Sequence, residues 1–180
     1  MNTYTLLLCA PVLVLLAVAA FVDWRIRRIP NWLTFTLVLS GLAQSLMPQA
    51  LVSPGNAILG CLAGFALTFM LYAVGALGAG DVKLLAGIGA WFGPQAALAV
   101  FVIEAVIGMV MALMQAAHQG RTGLLLKNSA LVAVNLAHVS DVGLDHVRRT
   151  GQACRSIDRP LPYAVPVLLA VMILLLVGHG

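Results

Sequence analysis

The chain has 180 residues, of which 62% are hydrophobic and only 9% charged, with a mean hydropathy of +1.02. A water-soluble domain is about a quarter charged, so this composition excludes a globule clothed in polar surface, and lipid is the solvent for most of the chain. The net charge of +4 does not point to nucleic acid: there is no basic–aromatic interleaving and no long basic helix, and bases in membrane proteins collect in cytoplasmic loops.

In a bilayer core every backbone amide must be satisfied within a helix or a closed barrel. Barrel strands would alternate over about ten residues, whereas the apolar blocks here are long and unbroken. The expected fold is therefore all-α: a polytopic helical membrane protein, one domain over residues 1–180, with about six transmembrane helices. The first block, residues 4–22, is long enough to span. Its Ala17-Val18-Ala19 resembles a signal-peptide cleavage site, but no base precedes it and a charged run follows at once, so it reads as a retained span. The second span is expected over 32–47, ending in a proline-marked turn region. The third, 57–77, carries Gly60 and Gly64 at the small-xxx-small spacing that lets helix backbones approach closely in lipid. After Gly78-Ala79-Gly80 comes a short fourth span, 84–92, stopped by Gly93-Pro94. A fifth runs over 95–117 and a sixth over 162–177. Between the last two lies a polar stretch, 118–160, within which 124–139 is read as an amphipathic helix along the interface. Cys9, Cys61 and Cys154 are far apart and form neither a CxxC pair nor a metal-ligand set.

Six spans place the loops after spans one, three and five on one side. Those loops hold Arg25, Arg27, Arg28, Lys83, Arg121, Lys127, Arg148, Arg149, Arg155 and Arg159, which are all ten bases of the chain. The positive-inside rule puts these loops in the cytoplasm and both termini outside.

Six acids remain to be placed. Asp141, Asp145 and Asp158 read as solvated loop charges among Arg and His. Glu104 lies deep in the fifth span, where a carboxyl is costly and is either a packed, protonated residue or a functional one. Asp23 and Asp81 differ, for each sits at the cytoplasmic end of a span beside residues that shape the backbone. Pro30 pre-sets the opening of a helix, and Gly78 and Gly80 would let a second chain lie against the backbone beside Asp81. If the two carboxyls converge they form an aspartic dyad: one ionised to take a proton from water, one protonated to polarise a carbonyl. Such a dyad needs no metal and no cofactor. If they do not converge, they are helix-end anchors.

The segment Asp23-Trp24-Arg25-Ile26-Arg27-Arg28-Ile29-Pro30-Asn31 resembles the first-aspartate motif of the type IV prepilin peptidases, and Gly78-Ala79-Gly80-Asp81-Val82-Lys83-Leu84 resembles their GxGD motif. Leu161-Pro162-Tyr163 is similar to the Pro-aromatic opening of the family's last span, while 118–160 matches nothing. The resemblance implies an intramembrane aspartic endopeptidase of the bacterial inner membrane that cuts the leader from prepilins or pseudopilins at the cytoplasmic face. It makes Asp23 and Asp81 the catalytic pair. Gly78, Gly80, Lys83, Pro30 and Asn31 become supporting or substrate-binding positions, and Glu104 a weaker candidate. The implied partners are the prepilin substrate, the bilayer and other pilus or secretion assembly proteins, with no nucleic acid. Larger members carry an N-terminal region with paired CxxC motifs and also methylate the new N-terminus. This chain opens directly into a span and so resembles the small peptidase-only branch similar to those serving Flp/Tad-type pili. Two readings from other classes stand beside this one: a small proton- or cation-coupled transporter using Asp23, Asp81 and Glu104, and a non-catalytic scaffold subunit of a pilus or secretion complex.

Overall fold

The computed structural model describes residues 3–73, 77–120, 123, 127 and 163–177. Within them the chain forms five helices: α1 (Thr3–Ile26), α2 (Asn31–Ser45), α3 (Pro54–Ala73), α4 (Ala79–His118) and α5 (Ala164–Val177). The segments Leu8–Ile26, Pro54–Ala73 and Ala79–His118 are long and apolar enough to cross a membrane, and Ala164–Val177 is a shorter apolar helix. No strand occurs among the described residues. The amphipathic helix expected over 124–139, Cys154 and the three loop aspartates lie outside the described residues, as do residues 74–76 at the end of the expected third span.

α4 is two helical arms joined at a break. Gly93 has φ 84° and ψ 178°, a conformation that glycine adopts without strain, and Pro94 follows it. A straight helix of this length would extend about 60 Å, twice a hydrocarbon core of about 30 Å. In such a rod Asp81 and Glu104 would stand about 35 Å apart, yet Glu104 bonds Tyr163, the next amide bonds Asp23, and Ile29, six residues on from Asp23, lies against Gly80. The chain therefore reverses at Gly93, and the second arm runs back beside the first. The first arm starts at Ala79, earlier than the sequence suggested, because Asp81 caps it and draws the glycine-rich segment into its first turn.

That first arm is the centre of the bundle, with Leu84, Leu85, Ala86, Gly87, Ile88, Gly89, Ala90 and Trp91 all buried. α3 lies against it in antiparallel fashion. A Cβ on Gly60 would strike the carbonyl of Gly89, one on Gly89 would strike that of Gly60, and one on Gly64 would sit 2.5 Å from the carbonyl of Leu85. The Gly60–Gly64 pair thus packs within the bundle, as small residues do where lipid offers no hydrophobic drive between helices. α2 runs parallel to the same arm. Its inward stripe of Leu33, Thr34, Leu37, Gly41, Gln44 and Ser45 follows the helical repeat. Trp91 Nε1 donates to the Leu37 carbonyl at 3.0 Å, and Gln44 Nε2 donates to the Trp91 carbonyl at 3.2 Å while its Oε1 accepts from Leu51 N–H. Those hydrogen bonds fix the register between the two helices. α1 and α5 pack together on the other flank.

Large apolar side chains point outward, among them Phe21, Trp24, Trp32, Phe35, Leu62, Phe65, Met70 and Met114. Glycines line the contact between α3 and the first arm of α4. In water such a belt would be an aggregation surface; against acyl chains it is the matching face.

Candidate active site

The site forms where four helix ends meet: the C-terminus of α1 and the N-termini of α2, α4 and α5. Asp23 continues the core-facing stripe of α1, which runs Cys9, Val12, Leu16, Ala19, Ala20 and then the aspartate. This helical spacing turns its carboxylate into the bundle, where it is 5% exposed. α1 ends three residues later, with Arg27 at φ 56° donating its N–H to the Asp23 carbonyl at 2.8 Å. The left-handed residue closes the helix as a C-terminal cap does. The Asp23 side chain caps a different helix: Oδ2 accepts the Ala164 N–H at 2.9 Å, at the start of α5. A carboxylate near the negative end of its own helix is thereby placed at the positive end of another.

Asp81 is the third residue of α4 and reaches back to accept the Gly78 N–H on Oδ2 at 2.9 Å, half of a capping box. A Cβ on Gly78 would sit 3.2 Å from that oxygen. The side chains of both aspartates therefore accept an amide at a helix N-terminus.

The residues around them interlock. Gly80 lies against Ile29, and a Cβ added there would be 3.1 Å from the Ile29 Cβ. Lys83 Nζ donates to Asn31 Oδ1 at 2.9 Å. Pro30 is the N-cap of α2, with φ −63° and ψ 138°, and turns the chain from Ile29 into that helix. Two segments some fifty residues apart in the chain are thus tied by a backbone approach and a side-chain hydrogen bond. Asn31 and Lys83 are exposed and border an open groove of about 540 Å³ lined also by Trp32, Thr34, Phe35 and Val38. Neither Asp23 nor Asp81 lines it.

Glu104, on the second arm of α4, reaches the same helix end through Tyr163, the residue before the amide that holds Asp23. It is 3% exposed and sits one and two turns on from the buried Val100 and Ala97. Its Oε1 accepts a short hydrogen bond from the Tyr163 hydroxyl, and its Oε2 is buried with no hydrogen-bond partner. Tyr163 and the Ala164 amide were not singled out by sequence reasoning as parts of the site. The available signal was indirect: a carboxyl deep in a span requires a donor, and Tyr163 stands at the head of the last apolar block.

Asp23 and Glu104 are buried, Asp81 is half-buried, and the two aspartates are each held by a helix-end amide; two carboxyls so held could share a proton and activate a water. A model of the type IV leader peptidase family matches residues 10–113 of the chain. That region includes α1 from its second turn, both aspartate segments and Glu104. Among curated proteins, the chain is 34% identical over 103 residues to a prepilin leader peptidase/N-methyltransferase of Aeromonas hydrophila, covering 53% of this chain and 35% of that protein. It is 37% identical over 105 residues to one of Pectobacterium carotovorum, covering 54% and 37%, and 32% identical over 108 residues to one of Neisseria gonorrhoeae, covering 56% and 37%. The chain thus spans little more than a third of the length of these relatives. No solved structure matches it.

Proposed function

Because the chain belongs to the type IV leader peptidase family, we propose that it is an aspartic endopeptidase of the bacterial inner membrane that removes the N-terminal leader from prepilins or pseudopilins. The observation that carries this reading is the convergence of its two aspartate segments, through Gly80 on Ile29 and Lys83 on Asn31. The relatives' names supply the substrate class. Six spans, with the two arms of α4 crossing separately and both termini outside, would set this end of the bundle at the cytoplasmic face beside Arg25, Arg27, Arg28 and Lys83.

The chemistry follows from two carboxyls that share one proton. The ionised member takes a proton from a water, whose oxygen attacks the scissile carbonyl carbon. The protonated member gives its proton to the carbonyl oxygen, forming a gem-diol. Collapse breaks the C–N bond, and a proton from the pair leaves with the new amine. Burial of Asp23 and the surrounding apolar helices keep bulk water from competing for those protons. Gly78 and Gly80 carry no side chain, which lets the Asp81 carboxylate fold back over Gly78 and Ile29 close against Gly80. Asn31 and Lys83, at the exposed rim, are positioned to meet the substrate beyond the cut.

Co-expression with a candidate prepilin, read by gel mobility, tests this assignment. Asp23→Asn and Asp81→Asn are each expected to abolish processing while the protein still inserts. Undiminished processing by either variant would sink the pair. A transporter would instead move protons or ions across liposomes with no peptide product.

A further inference from the structure

Glu104 and Tyr163 take no part in the bond-breaking step above, yet they form the one side-chain hydrogen bond between the second arm of α4 and the head of α5 among the described residues. Every side chain of α5 is apolar. Apolar contact is non-directional, and in lipid it sets neither the height nor the rotation of a helix with much precision. Height and rotation matter here, because the first amide of α5, that of Ala164, holds the Asp23 carboxylate at 2.9 Å. Tyr163 is the residue immediately before that amide. Its ring is partly buried and its hydroxyl ends on Glu104, which is itself 3% exposed. The other oxygen, Glu104 Oε2, has no partner, so Tyr163 is the group that tethers this carboxyl.

We propose that Glu104 and Tyr163 act as one positioning unit for the proteolytic pair, fixing the peptide at the start of α5 whose N–H orients the Asp23 carboxylate. The proposal rests on the reading of Asp23 and Asp81 as that pair. It runs through a continuous chain of contacts: Glu104 Oε1, Tyr163 hydroxyl, the 163–164 peptide, Asp23 Oδ2. It also accounts for a buried carboxyl deep in an apolar arm, where a leucine would otherwise cost less. The unit's role is to hold geometry, so its loss should slow the chemical step and leave substrate binding at the rim unchanged.

The test uses the full-length protein in liposomes with a prepilin substrate, measuring kcat, KM and the melting temperature. Tyr163→Phe and Glu104→Leu are each expected to lower kcat about tenfold with KM within about twofold, since a misplacement near the chemistry is costly while binding is untouched. Glu104→Gln keeps an oxygen that can accept from Tyr163 and should stay within about threefold of the parent. The double variant Glu104→Leu/Tyr163→Phe should be no slower than about tenfold, because partners in one hydrogen bond are not additive. A Tyr163→Phe protein at parental kcat would overturn the proposal. So would a double variant slowed about a hundredfold, as independent sites would give, or a Gln variant as slow as the Leu variant. Tyr163→Phe and Glu104→Gln are near-isosteric and carry the test should the Leu variants fail to insert. Asp23→Asn and Asp81→Asn run alongside. If they retain cleavage, the reading of Asp23 and Asp81 as the proteolytic pair fails; if they lose it while Tyr163→Phe does not, only the positioning unit fails.

Discussion

At the scale of residues, the site depends on where polar groups meet helix ends. Asp23 and Asp81 each accept a backbone N–H at a helix N-terminus, which orients one oxygen of each carboxyl. Gly80 governs how closely the two segments approach, because Ile29 stands just where a side chain would go. An alanine there is tight, and Ile29 can shift a few tenths of an ångström to admit it. A β-branched residue cannot be admitted that way. Gly80→Val is therefore expected to cut leader cleavage at least about tenfold, since small displacements near the reacting groups have large effects. Gly80→Ala should cost far less, and the comparison is read from initial rates of the two purified variants at equal insertion. The aspartates and their flanking Pro30, Asn31, Gly78, Gly80 and Lys83 could be singled out as candidates because each motif is local in the chain. The contacts that complete the cluster could not. Asp23 meets Ala164 and Glu104 meets Tyr163 across long sequence separations, and no spacing rule encodes such a pairing.

At the scale of elements, close backbone approach between α3 and the first arm of α4 holds the bundle together. Gly89→Ala would drive a methyl into the Gly60 carbonyl. Overpacking against backbone that cannot yield should destabilise by about 1–3 kcal/mol or more. Gly108, on the second arm, has nothing within 4 Å of its would-be Cβ. Gly108→Ala should stabilise by about 0.4–1 kcal/mol through the entropy of the unfolded chain. Melting temperatures in detergent should move in opposite directions for the two variants. Helix existence was readable from the apolar blocks, and the α4 break from Gly93-Pro94. Which face of each helix turns inward was harder to read. α1 is apolar on both sides, so hydrophobic periodicity carries no signal there. In lipid the inward face is marked by small residues instead, as with Gly60, Gly64 and Gly89.

At the scale of the whole molecule, the fold presents large apolar side chains to lipid and gathers its few described acids at one end of the bundle. The same end carries Arg25, Arg27, Arg28 and Lys83, so sidedness and chemistry are coupled. The expected topology has both termini outside and these bases in the cytoplasm. Reporter fusions at each end, or labelling of single cysteines placed at Arg28 and at Gln49, should find position 28 protected from an impermeant reagent in intact cells and position 49 accessible. The reverse pattern would invert the topology and remove the site from the face where leaders emerge.

The central claim is that Asp23 and Asp81 act as one proton-sharing pair. The most direct measurement is the kcat of leader cleavage for the purified parent, each Asp→Asn variant and the double variant, with the parent followed across pH. The account predicts a bell-shaped profile for the parent, falling at low pH when both carboxyls are protonated and at high pH when both are ionised. It also predicts single variants that are each as inactive as the double, because members of a catalytic unit are not additive. A single variant with parental kcat, or two single losses that multiply in the double, would contradict it.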